Sequence, residues 1–574
     1  MPSKKLINSP VQCVPEMIDG LLATTSALTK VAGFNVLVRS DIEEVRRQGK
    51  VTIISGGGSG HEPAHAGYIG RGMLSGAALG NVFASPSVAT VLAALRCVAS
   101  PAGVVVVVKN YTGDRLNFGM AIEKARAEGI NARMLVVEDD CALEPGKGIT
   151  GGRGVCGTVL VHKVTGACAE RGMSLDEVHA AGVSAAATMG TMGVALAPCT
   201  VPGATMSAAS RSRLAGNVVE VGMGIHGEPG RETVELPAGA AADVLTDAMV
   251  DTILGRPSNG NGARLVVNAG ERVAVMVNNL GATPALEMLI VARRVAQALK
   301  ARGVVLARAY VGNFMTSLEM GGVSVTVLRA PDDVLSLLDE TTAAPAWVPS
   351  TALDVGTGGE MAYDPGALEV AVVGGGAVPG AATILQAVCV QLISMEPQLT
   401  EYDTVCGDGD CGIVMKAGAT GVLADMAKHT AAEGDAATFC AGVADSVSNT
   451  MGGTSGALLE LAIRAMSAHF ISTGGADWGG GIGAGVQAMQ FYGGAAVGMR
   501  TMLDALVPAA EALAAGQTGQ EAAVAASAGA AATATMQSQA GRSNYIEAAK
   551  MDGTPDPGAV AMAAMFVVAA ATTL

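Results

Sequence analysis

Val51-Thr52-Ile53-Ile54-Ser55-Gly56-Gly57-Gly58-Ser59-Gly60-His61 decides the fold class of the first half of the chain. A β-branched run that breaks into glycine and ends on polar side chains reads as a buried strand entering a ligand-facing turn. The pattern repeats. Residues 104–108 lead into Lys109-Asn110-Tyr111-Thr112-Gly113-Asp114, and residues 134–137 lead into Glu138-Asp139-Asp140. Helical patterns at 87–98 and 117–128 lie between them. Strands alternating with helices predict an α/β domain with a largely parallel sheet, whose ligands gather where the strands end. Further strands are expected at 264–267, 272–277, 304–309 and 323–328. Residues 1–335 therefore read as two α/β lobes that part between Gly193 and Gly216.

The character changes after that. Residues 341–365 carry Ala, Pro, Thr and Gly with little periodicity, which marks a linker, placed at 336–366. From 367 to 574 the chain runs in Ala, Leu and Met segments at helical spacing, and only 370–373 looks like a strand. This predicts an all-helical domain. The alanine tract at 509–534 is read as close helix packing, because alanine is the best helix former. The apolar run at 558–574 lacks flanking basic residues and is read as a packed terminal helix rather than a membrane anchor.

At 574 residues the chain is too long for one core. A net charge of −15 argues against binding a nucleic-acid backbone, and 3% aromatic content leaves no stacking surface for single strands. Ten scattered cysteines without a C-x-x-C pair and an N-terminus without an apolar core predict a reduced, cytoplasmic protein.

Several polar clusters carry possible chemistry. In Asp403-Thr404-Val405-Cys406-Gly407-Asp408-Gly409-Asp410-Cys411-Gly412, three carboxylates held close together repel one another unless a cation or proton relieves them. Mg2+ suits such a site; the alternatives are a surface turn or a calcium loop, the latter lacking its acid near position twelve. Gly56, Gly57, Gly58 and Ser59 offer backbone N–H groups without bulky side chains, as an anion or polar-substrate nest or as an ordinary turn. Lys109 and Asp114 could converge there or form a surface pair. His226 stands between glycines, accessible from several sides, although a lone histidine is more often a bystander. Met451-Gly452-Gly453-Thr454-Ser455-Gly456 opens a helix, where free N–H groups bind phosphate or the turn serves packing. Arg500-Thr501-Met502, Arg542 and Asp556-Pro557-Gly558 signal less alone.

Together these segments resemble the dihydroxyacetone kinase family in its single-chain, ATP-dependent form. The motifs at 56–67, 109–119 and 224–228 are similar to its substrate domain. Those at 407–412, 451–456, 500–504 and 556–559 are similar to its all-helical barrel domain for the nucleotide. Cys411 stands where many members have histidine, and Met499 where an acid is usual. The resemblance implies that His226 holds the substrate carbonyl as a covalent hemiaminal, a reaction open to neutral imidazole. It also implies that Gly56 to Ser59, Lys109 and Asp114 hold the hydroxyls, and that Asp114, helped by His61, accepts the proton of the attacking hydroxyl. Asp403, Asp408 and Asp410 would carry Mg2+. Asp408, Gly409, Asp410, Cys411, Gly453, Thr454, Ser455, Arg500, Thr501, Met502, Arg542, Asp556, Pro557 and Gly558 would line ATP. The implied reaction is phosphorylation of dihydroxyacetone and of D-glyceraldehyde by a homodimer. Two alternatives come with the resemblance: Mn2+-dependent cleavage of FAD to cyclic FMN, and a non-catalytic sensor or regulatory partner.

Overall fold

The computed structural model describes residues 4–143, 151–204, 214–236, 241–255, 265–350, 374–540, 551 and 553–572. The chain divides into two compact units, Met1–Glu360 and Met361–Leu574.

The first unit contains two six-stranded sheets. The first sheet holds β1 (Leu28–Lys30), β2 (Val36–Arg39), β3 (Thr52–Ser59), β4 (Gly76–Val82), β5 (Val104–Lys109) and β6 (Ala132–Val137) in the order β1-β2-β4-β3-β5-β6. Strands β4, β3, β5 and β6 run parallel, and β2 and β1 extend them antiparallel. Strand β5 explains its continuous valine run, because both of its faces are covered. Val104, Val106 and Val108 pack with Val91, Leu95, Phe118 and Ile122 from the helices Val88–Val98 and Thr112–Ala127. Val105 and Val107 pack in another core with Val159, Val164 and Val178 from the helices Thr158–Glu170 and Leu175–Ala187. Each such valine contributes ~1.5–3 kcal/mol of transfer free energy.

The second sheet comprises β7 (Met189–Ala197), β8 (Val218–Val221), β9 (Glu232–Glu235), β10 (Arg272–Asn279), β11 (Val305–Gly312) and β12 (Gly321–Arg329), ordered β11-β10-β12-β7-β8-β9. Only β10 and β11 pair in parallel, and the other pairs are antiparallel. The expectation of largely parallel sheets holds for the first sheet, where three of five pairings are parallel, and is corrected for the second, where one of five is. A parallel pair needs a crossover, and the helix Ala285–Ala301 supplies one between β10 and β11. Because β7 belongs to this sheet, the lobes part just after the helix ending at Ala187, earlier than expected. The strand expected at 264–267 does not form over residues 265–267, and Arg264 lies outside the described residues. Asp139 ties the sheets together, accepting from Val155 N and Gly157 N at 2.8 Å each and from Thr191 Oγ1 at 2.5 Å.

Beyond β12, Ala344 and Trp347 are buried in the first unit's core. The expected strand at 370–373 and most of the expected linker lie outside the described residues.

The second unit is helical throughout its described residues. Its helices surround an apolar cavity of about 820 Å³, lined by Leu385, Met415, Phe439, Met466, Met489 and Phe566 among others. The alanine tract forms parts of the helices Leu503–Ala514 and Gly519–Ala532, which bury Ala505, Ala509, Ala522, Ala526 and Ala530. Their approach is so close that a Cβ on Gly529 would lie 1.9 Å from the Asp504 carbonyl oxygen. The apolar C-terminal run is the helix Pro557–Thr572, with Ala559, Ala561 and Met562 buried. Among the described residues, no helix is long and apolar enough to cross a membrane.

Candidate active site

The glycine run after Ile54 is strand rather than open turn: β3 continues to Ser59 and pairs with β4 through Gly58. Glycine is needed because the strands crowd each other. A Cβ on Gly56 would lie 2.1 Å from Ala78 O, and one on Gly58 would lie 2.7 Å from Ala84 N. Ser59 spends its hydroxyl on Gly80 O at 2.8 Å. Gly57, at φ +151°, faces polar groups: a Cβ there would lie 3.4 Å from Lys109 Cε and 3.5 Å from Asp114 Oδ2. Gly57, Lys109 and Asp114 therefore converge, and Gly56, Gly58 and Ser59 pack closely against β4 and the turn after it.

Lys109 ends β5, and Asp114 sits in the first turn of the helix Thr112–Ala127. Both are buried. Burial pushes the Lys109 ammonium down and the Asp114 carboxyl up, while their mutual attraction opposes both shifts. The Ser85 hydroxyl donates to Asp114 Oδ1.

His61 follows β3 and is fully buried; its Nδ1–H donates to Thr316 O at 2.8 Å. Burial, with the nearby Lys109 charge, holds its imidazolium pKa well below the ordinary value, so the ring is a neutral base. Its Nε2 lies 3.1 Å from His226 Nε2. His226 occupies a turn closed by Gly227 N donating to Gly224 O at 2.9 Å. Glu228 grips it twice, accepting from His226 Nδ1 at 2.8 Å and from its backbone N at 3.0 Å. Burial raises the Glu228 carboxyl, but the hydrogen bond and charge of His226 outweigh it and bring the pKa down to about 2. Arg153, paired with Asp140 at 2.6 Å, stands next to the same turn.

No role is assigned to Glu228 from sequence, although His-x-Glu spacing around glycine is a usable signal, and none to the rings around His226. Phe83 and Tyr111 meet it edge-on, with centroids 5.0 Å and 4.8 Å away. Isolated aromatics in loops carry no pattern that would have revealed this.

In the second unit, Asp403 lies in the helix Glu396–Cys406, and its Oδ2 accepts from Asp410 N at 2.8 Å and Cys411 N at 2.9 Å. That grip sets the start of the helix Cys411–Ala424. Asp403, Asp408 and Asp410 each offer an oxygen within 4.8 Å of the others. Three hard oxygen donors, two of them exposed, fit Mg2+ bound jointly with phosphate. Cys411 is buried and its thiol is pushed up to about 12.

Thr454 and Ser455 open the helix Gly453–Thr473, whose first turn receives no side-chain cap. Its N–H groups suit a phosphate. Arg500, expected to line ATP, is held by three partners. It is buried at φ +61°, and donates from Nε to Thr533 O at 3.1 Å and from Nη2 to Thr554 O at 2.8 Å and Cys406 Sγ at 2.9 Å. It thus ties the carboxylate loop to the segment before Asp556. Thr501 N donates to Asp504 Oδ2 at 2.7 Å, and Met502 lies 3.5 Å from where a Gly558 Cβ would stand. Asp556 Oδ1 accepts from Ala559 N at 2.8 Å, and burial raises its carboxyl to about 6. Arg542 lies outside the described residues.

Comparison with known proteins gives matching results for both units. Residues 19–346 match the Dak1 domain model and residues 405–571 the DAK2 domain model. The chain is 42% identical over 586 residues to the triokinase/FMN cyclase of Mus musculus, covering 99% of this chain and 98% of that protein. It is 36% identical over 588 residues to the dihydroxyacetone kinase of Citrobacter freundii, covering 100% of both. The crystal structure of the C. freundii kinase with AMP-PNP and Mg2+ superposes with a TM-score of 0.69 at 34% identity, covering 99% of each chain.

Proposed function

Since the chain belongs to the dihydroxyacetone kinase family, we propose that it transfers the γ-phosphoryl group of ATP to dihydroxyacetone, with D-glyceraldehyde as a second acceptor. The observation that carries the chemistry is His226, held by Glu228 on Nδ1 and facing His61 through Nε2. An anionic Glu228 keeps the proton on Nδ1, which leaves the Nε2 lone pair for a carbonyl carbon. Attack forms the N–C bond of a hemiaminal, the C=O π pair moves to oxygen, and that oxygen takes a proton. The ring becomes a cation, which the Glu228 carboxylate offsets.

The proton comes from solvent, because the buried His61 ring is neutral and has none to give from Nε2. Both Nδ1 atoms donate elsewhere, so the Nε2···Nε2 contact bonds only when it holds one extra proton. Asp114, made more basic by burial, accepts the proton of the hydroxyl that attacks phosphorus, and Lys109 hydrogen-bonds the hydroxyls. Asp403, Asp408 and Asp410 would hold Mg2+, which supplies charge neutralisation for the triphosphate. The Thr454–Ser455 helix start and the Asp556-Pro557-Gly558 turn would line the nucleotide. The AMP-PNP and Mg2+ bound by the C. freundii relative support this division of labour. Ten free cysteines support a cytoplasmic location, and a homodimer is the assembly we expect.

The deciding experiment is ADP release from Mg-ATP with dihydroxyacetone, run beside glycerol. Turnover with dihydroxyacetone alone supports both the kinase and carbonyl capture. Turnover with glycerol as well would remove the role of His226, and no ADP with either would overturn the kinase. The similarity to a triokinase/FMN cyclase favours a second reading, cleavage of FAD in the helical unit, which release of cyclic FMN with Mn2+ would detect.

A further inference from the structure

Residues 83–85, directly after β4, span from the histidine pair to the carboxylate. At one end the Phe83 ring stacks on His61, with centroids 5.0 Å apart and planes at 19°, and meets His226 at 84°. At the other end Ser85 donates to Asp114. Phe83 adopts φ +56°, a left-handed conformation that a residue with a bulky side chain rarely takes. Phe83 N donates to Ser59 O at 2.9 Å and Ala84 N to Asn81 O at 3.0 Å, so the turn is held from both sides. Gly60 makes room for the ring: a Cβ there would lie 2.8 Å from Phe83 Cε1. Unfavourable backbone kept in place beside a reactive side chain calls for a reason in function.

The reason lies in what the ring excludes. The His226 imidazole is bounded by the rings of His61, Phe83 and Tyr111 and by Glu228 on Nδ1. A carbonyl carbon captured on Nε2 carries two substituents. One must reach Asp114 to lose its proton, in the space beside Gly57 and Lys109. The other faces the aromatic wall. We propose that Phe83 is the specificity-determining residue of the acceptor pocket, admitting carbonyl compounds whose second substituent is no larger than a hydroxymethyl group. The inference rests on the kinase reading above.

The test compares kcat/KM for dihydroxyacetone and 1,3-dihydroxy-2-butanone, which differ by one methyl group, in the wild-type chain and in Phe83→Gly and Phe83→Leu. A methyl group against an apolar wall is worth roughly 10- to 200-fold in discrimination. Phe83→Gly is expected to lower the preference for dihydroxyacetone at least about tenfold. Its melting temperature should hold, because glycine adopts positive φ without strain. Phe83→Leu should fall between, and it carries the test by itself if the glycine variant does not fold. A fall in both kcat/KM values with an unchanged ratio would reduce Phe83 to a packing residue and overturn the inference. Absence of ADP release by the wild type with dihydroxyacetone would instead overturn the kinase reading, and the inference with it.

Discussion

His61 Nε2 and His226 Nε2 stand 3.1 Å apart while the Nδ1 atom of each ring faces an oxygen, the Thr316 carbonyl for one and the Glu228 carboxylate for the other. The difference between the two acceptors supports the roles proposed for the rings. Burial keeps His61 a weak base despite the carbonyl on its Nδ1, whereas a carboxylate on Nδ1 would offset the positive charge that the proposed bond to carbon puts on His226.

Glu228→Gln keeps the size of that acceptor and removes its charge. The expected outcome is a fall in kcat/KM for dihydroxyacetone of up to about 10⁴, as when the carboxylate behind a catalytic histidine is neutralised. Native mass spectrometry should show less of the protein carrying one substrate mass. Unchanged kinetics and occupancy would mean that His226 does not act through Glu228.

In the helical unit, Asp403 binds two backbone N–H groups, so the loop keeps its shape when a neighbouring carboxylate is lost. Asp410→Ala should therefore fold, fail to bind Mg-AMP-PNP in calorimetry, and still capture dihydroxyacetone. Undiminished nucleotide affinity would place the metal elsewhere.

How far these sites were legible depended on the range of the interaction concerned. The β5 strand and its polar exit to Lys109 and Asp114 were readable because a both-faces-buried strand needs an unbroken apolar run, and Val104 to Val108 supply one. The three aspartates were readable because their chemistry is local, five and two residues apart. The packing constraint on Gly56 and Gly58, main-chain atoms of β4 and of the turn after it within a Cβ radius, was not readable, because it comes from residues more than 20 positions away. The antiparallel pairing of β7 with β12 was likewise invisible, because register between strands over 120 residues apart leaves no local trace. Arg500 shows the same limit: its motif is local, but its partners Cys406, Thr533 and Thr554 are not.

Below the acceptor pocket, His65 Nδ1 and His162 Nε2 lie 3.0 Å apart in a fully buried pair. Burial holds His65 well below the ordinary histidine value and brings His162 to about 3. Folded-state values below the unfolded 6.5 mean that the unfolded chain binds more protons in the interval between them. For His162 the stability this provides is complete above pH 6.5 and is lost as pH falls toward 3, at about 1.4 kcal/mol per pH unit. His162→Gln removes one such proton. Urea melts at pH 7.5, 5.5 and 4.5 should show a shallower loss of stability for the variant in the first unit, and equal slopes would deny His162 this part in acid sensitivity.

Asp556 has the opposite sign. Burial raises its carboxyl from 3.8 to about 6, against the opposing hydrogen bond from Ala559 N and the charge of Arg500. A raised folded value means that its contribution is complete below pH 3.8 and is lost as pH rises through 6. By pH 8 the metal-free protein carries a buried charge at a cost on the order of 3 kcal/mol. Asp556→Asn keeps an oxygen for Ala559 N and has no charge to bury. In metal-free buffer the helical unit of this variant should unfold at higher denaturant than wild type at pH 8 and at equal denaturant at pH 4. A variant no more stable at pH 8 would mean that the folded protein ionises Asp556 as readily as the unfolded chain does.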